Sequence, residues 1–75
     1  MMALSQAVMG KKVKLNQILG SDKLKRKLQD MGLTKGVEFK TIMKTKNGPM
    51  VIEIRGTRLA ISNEIASAID VTLLS

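Results

Sequence analysis

The sequence contains no cysteine and no histidine, and these two absences exclude many functions. Without cysteine the chain forms no disulfide, which is typical of proteins from a reducing compartment. Without either residue it lacks the thiolate and imidazole ligands of ordinary zinc sites, a histidine general base and a cysteine nucleophile. The composition therefore predicts no metal site, no cofactor and no enzymatic activity.

Aromatic residues are almost absent as well, since Phe39 is the only one. A single aromatic side chain makes neither a groove for proline-rich peptides nor a platform on which bases stack. No apolar run approaches the ~20 residues that span a bilayer. The N-terminal segment has no basic residue ahead of an apolar stretch, so it does not resemble a signal peptide. These features predict a soluble, intracellular protein.

Hydrophobic residues make up 44% of the 75-residue chain and charged residues 25%, which is typical of a folded domain. The length predicts one domain over residues 1–75, whose folding buries only about 60% of the unfolded surface. With one aromatic available, the core is expected to consist of Leu, Ile, Val and Met. The six methionines are interpreted as gap fillers in that core, with an adaptable binding surface as the alternative.

Positive charge is in excess and unevenly distributed. The net charge is +7, and residues 1–46 contain eleven of the thirteen Lys and Arg residues but three of the six acidic ones. Such asymmetry favours an anionic partner, which could be nucleic acid, an anionic membrane surface or an acidic protein face. The structural alternative is a solvated surface that keeps the protein soluble.

Alternation of apolar and polar residues predicts five short strands, centred on residues 13–17, 37–44, 50–55, 58–61 and 69–73. Lys46-Asn47-Gly48-Pro49 and Gly56-Thr57 are predicted turns. Ser62 or Asn63 is expected to cap a single helical turn over residues 64–68. Five short antiparallel strands avoid exposed edges by curling, so the pattern favours a mainly β, small and partly open barrel.

One helix is predicted after the first strand, from about Lys23 to Met31. Ser21 or Asp22 is a suitable N-cap, and Gly32 with Leu33 is typical of a left-handed helix ending. The apolar residues recur at helical spacing, whereas basic side chains occupy the other faces. The apolar stripe is expected to pack on one mouth of the barrel, and it consists of Leu24, Leu28 and Met31.

Several stretches resemble the ferrous iron transport protein A family, FeoA. They are the helix and turn over residues 24–36, the hairpin over residues 48–61 and the ending over residues 66–71. The resemblance covers nearly the whole chain and implies an SH3-like barrel, in agreement with the strand pattern. Many members have Arg where this chain has Lys27, so a role that depends on a guanidinium fork there is not implied.

The resemblance further implies a cytoplasmic accessory of the FeoB-type ferrous iron permease, acting at the inner face of the membrane through protein contact. Weak contact with anionic lipid and a weak homodimer are compatible with it, and specific nucleic-acid binding is not expected. Arg26 is also considered as an arginine finger toward the GTPase domain of the permease. The predicted partner-binding residues are Leu24, Lys25, Arg26, Lys27, Leu28, Met31, Arg55 and Arg58.

Two other functions remain open from the residues. A small basic barrel that binds nucleic acid is the main alternative, because the charge supports it although aromatic residues are lacking. The other is a domain from a metal-dependent repressor, for which the sequence offers no DNA-binding helix pair.

Overall fold

Antiparallel strands dominate the computed structural model, which describes residues 2–46 and 48–74. A 3₁₀ turn, Leu4–Gln6, follows the first strand. The strands are β1 (Met2–Ala3), β2 (Lys12–Ile18), β3 (Glu38–Lys44), β4 (Met50–Ile54), β5 (Thr57–Ile61) and β6 (Ile69–Leu73), and the helices are α1 (Asp22–Asp30) and α2 (Asn63–Ser67).

The strands form one open sheet in the order β1-β6-β2-β3-β4-β5, so β1 and β5 are its edges. This arrangement confirms the mainly β prediction. It contains one strand more than expected, because Met2 and Ala3 pair with Val71 and Asp70 of β6. The helix α1 consequently follows the second strand and not the first.

Period-two alternation places the core on one face of the sheet. In β2, Val13 and Leu15 are buried, whereas Lys12 and Lys14, which alternate with them, are exposed. The core also includes the only aromatic residue, Phe39. A register shift between Thr41 and Met43 interrupts the alternation in β3, and Met43 is 52% exposed.

Methionine contributes less to the core than predicted from composition. Met50 is fully buried, whereas Met2 and Met9 are only partly buried against the core. Met31 and Met43 are exposed. Leu, Ile and Val provide most of the buried volume, so the two exposed thioethers are available for contact with a partner.

The predicted turns and caps are largely found in place. Ser62 caps α2 by accepting a hydrogen bond from the Ile65 amide. In the β3–β4 connection the Gly48 amide donates to the Thr45 carbonyl at 3.2 Å, while Asn47 of the predicted turn lies outside the described residues. Among residues 2–46 and 48–74, no helix is long and apolar enough to cross a membrane.

Candidate partner-binding surface

The helix α1 is fixed at both ends by local hydrogen bonds. Ser21 is the N-cap, and its Oγ accepts a hydrogen bond from the Leu24 amide at 3.2 Å. At the other end Gly32 has φ +96°, its amide donates to the Gln29 carbonyl, and the Leu33 amide donates to the Leu28 carbonyl. This pair of bonds is the Schellman ending, and it confirms the predicted left-handed glycine.

Packing determines which predicted residues of α1 are available to a partner. Leu28 is 1% exposed and Leu24 is partly buried, so both anchor the helix on the sheet. Met31 is the C-cap and is 37% exposed. The predicted apolar stripe is therefore divided, because its first two residues pack inward while Met31 emerges where the helix stops.

A groove of about 290 Å³ lies where the end of α1 meets the hairpin formed by β4 and β5. The helix end is close to the sheet here, since a Cβ placed on Gly32 would lie 3.9 Å from Ile54 Cδ1. Met31 and Leu59 supply apolar surface, and Arg55 supplies positive charge. The groove is lined by Asp30, Met31, Gly32, Ile54, Arg55, Thr57 and Leu59.

The hairpin turn places Arg55 in an uncommon conformation. Ile54 pairs with Thr57, so Arg55 and Gly56 form a two-residue turn with φ angles of +51° and +79°. Positive φ at both positions is typical of a type I′ turn, which matches the twist of a hairpin. In the described part of the chain Arg55 is the one non-glycine residue with positive φ. The turn thus precedes by one residue the Gly56-Thr57 turn predicted from the sequence.

The other predicted binding residues lie on separate surfaces. Arg58 is exposed on β5 and forms an ion pair with Glu53 at 3.7 Å. Arg26 and Lys27 line a shallow depression on the outer side of α1. Lys25 faces the opposite direction and lines a cleft with residues of β2. The predicted set therefore does not converge on one site, and Met31 and Arg55 are its two members that line the groove between α1 and the hairpin.

A row of charged side chains on the outer face of the sheet was not identified from the sequence. Lys12 pairs with Lys40, Lys40 with Glu53, and Glu53 with Arg58, so four adjacent strands carry a charge at the same level. Side chains of directly paired residues point to the same face of a sheet. Part of this row was visible in the sequence, because one apolar residue separates Lys12 from Lys14 and another separates Glu38 from Lys40. Which of these charged residues become neighbours depends on the strand register.

The site offers contact surface more than chemistry. The structure shows, for residues 2–46 and 48–74, no group of three or more acidic side chains that could hold a metal ion together. Phe39 is 3% exposed, so the single aromatic ring of the sequence is not accessible for base stacking. This burial removes the feature that sequence-tolerant recognition of single-stranded nucleic acid usually requires.

A small, mainly β domain in which an α-helix connects the second and third strands belongs to the SH3-like class of small β-folds. The model of the FeoA domain matches residues 2–73, and the chain belongs to the FeoA family. It is therefore a small protein related to ferrous iron transport. A search of curated proteins gave no match.

Solved structures agree with this assignment. The iron uptake regulatory protein FeoA is 33% identical, with a TM-score of 0.90 and 97% of each chain covered. The FeoA-like protein from Clostridium acetobutylicum is 29% identical, with a TM-score of 0.87, and the match covers 99% of this chain and 87% of that one. The manganese regulator SloR is 19% identical and shares the fold alone, over 97% of this chain and 34% of its own, with a TM-score of 0.86.

Proposed function

We propose that this single domain, residues 1–75, is a cytosolic, non-enzymatic accessory of a FeoB-type ferrous iron permease. In this proposal the domain binds the cytosolic part of the permease at the inner membrane face and modulates transport through that contact. Family membership and similarity to solved structures such as that of iron(II) transport protein A support the link to ferrous iron.

The groove between α1 and the β4–β5 hairpin is the observation that carries the proposal. Met31 is 37% exposed there and Leu59 is partly buried, so the groove offers apolar surface that a partner can cover. Arg55 forms no ion pair among the residues that the structure describes, and its guanidinium is available to a carboxylate. Apolar anchors beside an arginine are typical of residues that dominate interface energies.

The basic outer side of α1 is proposed as a secondary contact. Lys23, Arg26 and Lys27 line one depression with Asp22 and Asp30. Exposed positive charge of this kind suits the anionic lipid beside a membrane protein and speeds encounter with an acidic partner. Arg26 does not line the hairpin groove, so an arginine-finger role for it requires a separate contact with the GTPase domain.

An NMR titration tests the proposal. The labelled protein is mixed with the cytosolic domain of the ferrous permease from the same cell at about 0.15 M salt, which screens long-range attraction. Saturable shifts at Met31, Arg55 and Leu59 are expected. An equal mass of mixed RNA serves as the control, and saturable shifts with RNA in place of the permease would favour the nucleic-acid alternative.

Two charge-removing variants make the test specific. Arg55→Asn keeps a residue that tolerates positive φ, so the turn is retained while the guanidinium is lost. Lys46→Asn removes the same charge at the connection before β4, at the other end of that strand. The permease should bind Arg55→Asn about tenfold or more weakly, as for an interface arginine that contributes over 1.4 kcal/mol. Equal binding by both variants contradicts the proposed groove.

A further inference from the structure

In the part of the chain that the structure describes, one edge of the β5 strand is open. It is the last strand of the sheet, and it pairs with β4 alone. Whereas β4 has a neighbour on each side, β5 has one only on the β4 side among the described residues. A row of its backbone groups therefore faces outward. Such an edge accepts an additional strand by backbone hydrogen bonding.

Hydrogen-bond alternation identifies which residues face outward. The Thr41 amide donates to the Lys11 carbonyl, so the backbone groups of Thr41 face β2. Successive residues of a strand direct their backbone groups to opposite neighbours. The backbone groups of Lys40 therefore face β4. Glu53, which pairs with Lys40, therefore directs its backbone toward β3 and away from Arg58. The backbone groups of Arg58 and Ala60 then point away from β4. In the described segments neither residue has a backbone bond outside the sheet.

Charge at the edge indicates what kind of strand fits. From β3 to β5 the row on the outer face reads Lys40, Glu53 and Arg58, with alternating sign. A carboxylate on an added strand, placed opposite Arg58, continues this alternation. Cross-strand pairs of opposite charge stabilise a sheet, and like charges opposite one another destabilise it. A second copy that aligned its own Arg58 with this one is disfavoured for the same reason.

The other face of the edge supplies apolar contact. Leu59 points toward the core side of the sheet and is only partly buried. An added strand with an apolar residue at alternate positions covers Leu59 while its acidic residue meets Arg58. The groove that contains Met31 and Arg55 continues from this position, because Thr57 and Leu59 line it as well.

We infer that β5 is a strand-addition site, which accepts an extended segment of alternating apolar and polar residues with a carboxylate opposite Arg58. The inference deepens the proposed function. It rests on that function only in assigning the added segment to the permease. Recognition comes from the backbone of Arg58 and Ala60, and selection comes from the guanidinium of Arg58.

Synthetic peptides test the inference without the permease. The probe is a short acetylated and amidated peptide of alternating threonine and valine, with glutamate in place of the central threonine. Solvent exchange of the Arg58 and Ala60 amides is followed by NMR on the full chain. At about ten times the peptide Kd, exchange at both amides should slow about tenfold. The Leu59 amide, which already faces β4, should change little.

Matched peptides and variants separate strand addition from simple attraction. Methylation of every internal amide nitrogen of the peptide should abolish binding, because the backbone bonds are lost. Arg58→Glu should weaken the glutamate peptide about three- to tenfold and strengthen a lysine peptide, whereas Lys46→Glu, with the same charge change in the β3–β4 connection, should do neither. Unslowed exchange at Arg58 and Ala60, or equal binding of the methylated peptide, overturns the inference. Concentration-dependent protection without peptide also overturns it, because a second copy then occupies the edge.

The two proposals fail in different ways. Binding of the peptide at β5 with no response to the permease refutes the proposed function and leaves the strand-addition site in place. A permease response at Met31 and Arg55 without protection of the Arg58 and Ala60 amides refutes strand addition and leaves the accessory function in place.

Discussion

Thr41 is the one fully buried polar side chain in the described part of the chain, and it fastens the N-terminal loop to β3. Its Oγ1 accepts a hydrogen bond from the Lys11 amide at 3.1 Å and lies 2.9 Å from the Val8 carbonyl, to which it can donate. The Gly10 amide donates to the Thr41 carbonyl at 2.7 Å. The hydroxyl therefore satisfies backbone groups of residues 8–11, a segment that precedes β2 and lies outside the strands.

Replacement of Thr41 by Val keeps the shape of the side chain and removes the hydroxyl. The Lys11 amide and the Val8 carbonyl then lose a partner, which should lower the free energy of unfolding by about 1–3 kcal/mol. Urea denaturation measures the loss. Thr41→Ser retains the hydroxyl and should keep its bonds, so a Thr41→Val protein as stable as the native one contradicts this account.

Arg55 is strained by the same backbone geometry that exposes its guanidinium. A non-glycine residue in the left-handed region costs roughly 1–2 kcal/mol, and Asn tolerates that region better than Arg. Arg55→Asn should therefore raise the free energy of unfolding by about 0.5–1 kcal/mol, which in a domain of this size raises Tm by a few degrees. Calorimetry checks the shift, and Lys46→Asn should leave Tm unchanged. Stabilisation combined with weaker permease binding would indicate that the strained arginine is retained for contact.

At the scale of elements, the ending of α1 controls where Met31 is presented. Gly32 has φ +96° and lies against Ile54 at the floor of the groove. Gly32→Ala should destabilise the protein by about 1–2 kcal/mol because Ala disfavours this conformation. Gly32→Asn should cost less, since Asn visits the left-handed region more readily. Thermal unfolding of the two variants gives the order, and equal loss in both would contradict the assignment of the cost to the backbone conformation at Gly32.

The elements whose signals are local were predictable from the sequence. Ser21, Gly32 and Ser62 set helix ends by bonds within a few residues, and their positions agree with prediction. The β4–β5 turn was displaced by one residue because no propensity rule places an Arg at positive φ. The short β1 strand lacked any alternation, and it exists only because β6 offers an edge. Local chemistry therefore predicted caps and most strands, while pairing between distant strands decided the remainder.

The candidate surface was less predictable than the fold for a similar reason. Periodicity placed Leu24, Leu28 and Met31 on one stripe, but it could not show that the first two pack inward while Met31, at the C-cap, is exposed. Nor could it show that Lys25 faces β2 while Arg26 faces solvent. The approach of Met31 to Arg55 depends on how α1 packs, which is a property of the assembled core.

At the scale of the whole molecule, folding mixes the two differently charged parts of the sequence. Glu53, from the slightly acidic C-terminal part, lies between Lys40 of the basic part and Arg58. Lys12 likewise forms an ion pair with Glu38 at 3.3 Å. The excess positive charge is therefore spread over the loops, α1 and the strands, and a charge distributed in this way favours approach to an anionic surface without defining a single binding groove.

This distribution makes a final prediction about polyanions. The net charge of +7 should give measurable binding to single-stranded RNA in dilute salt. Because that binding depends on the release of counterions, an interaction with four phosphates should weaken about 50-fold between about 50 and 200 mM salt. Fluorescence anisotropy with a labelled oligonucleotide measures the slope. An affinity that falls less than about fivefold over this range would require contacts beyond charge, and Phe39, being buried, does not provide them without rearrangement of the core.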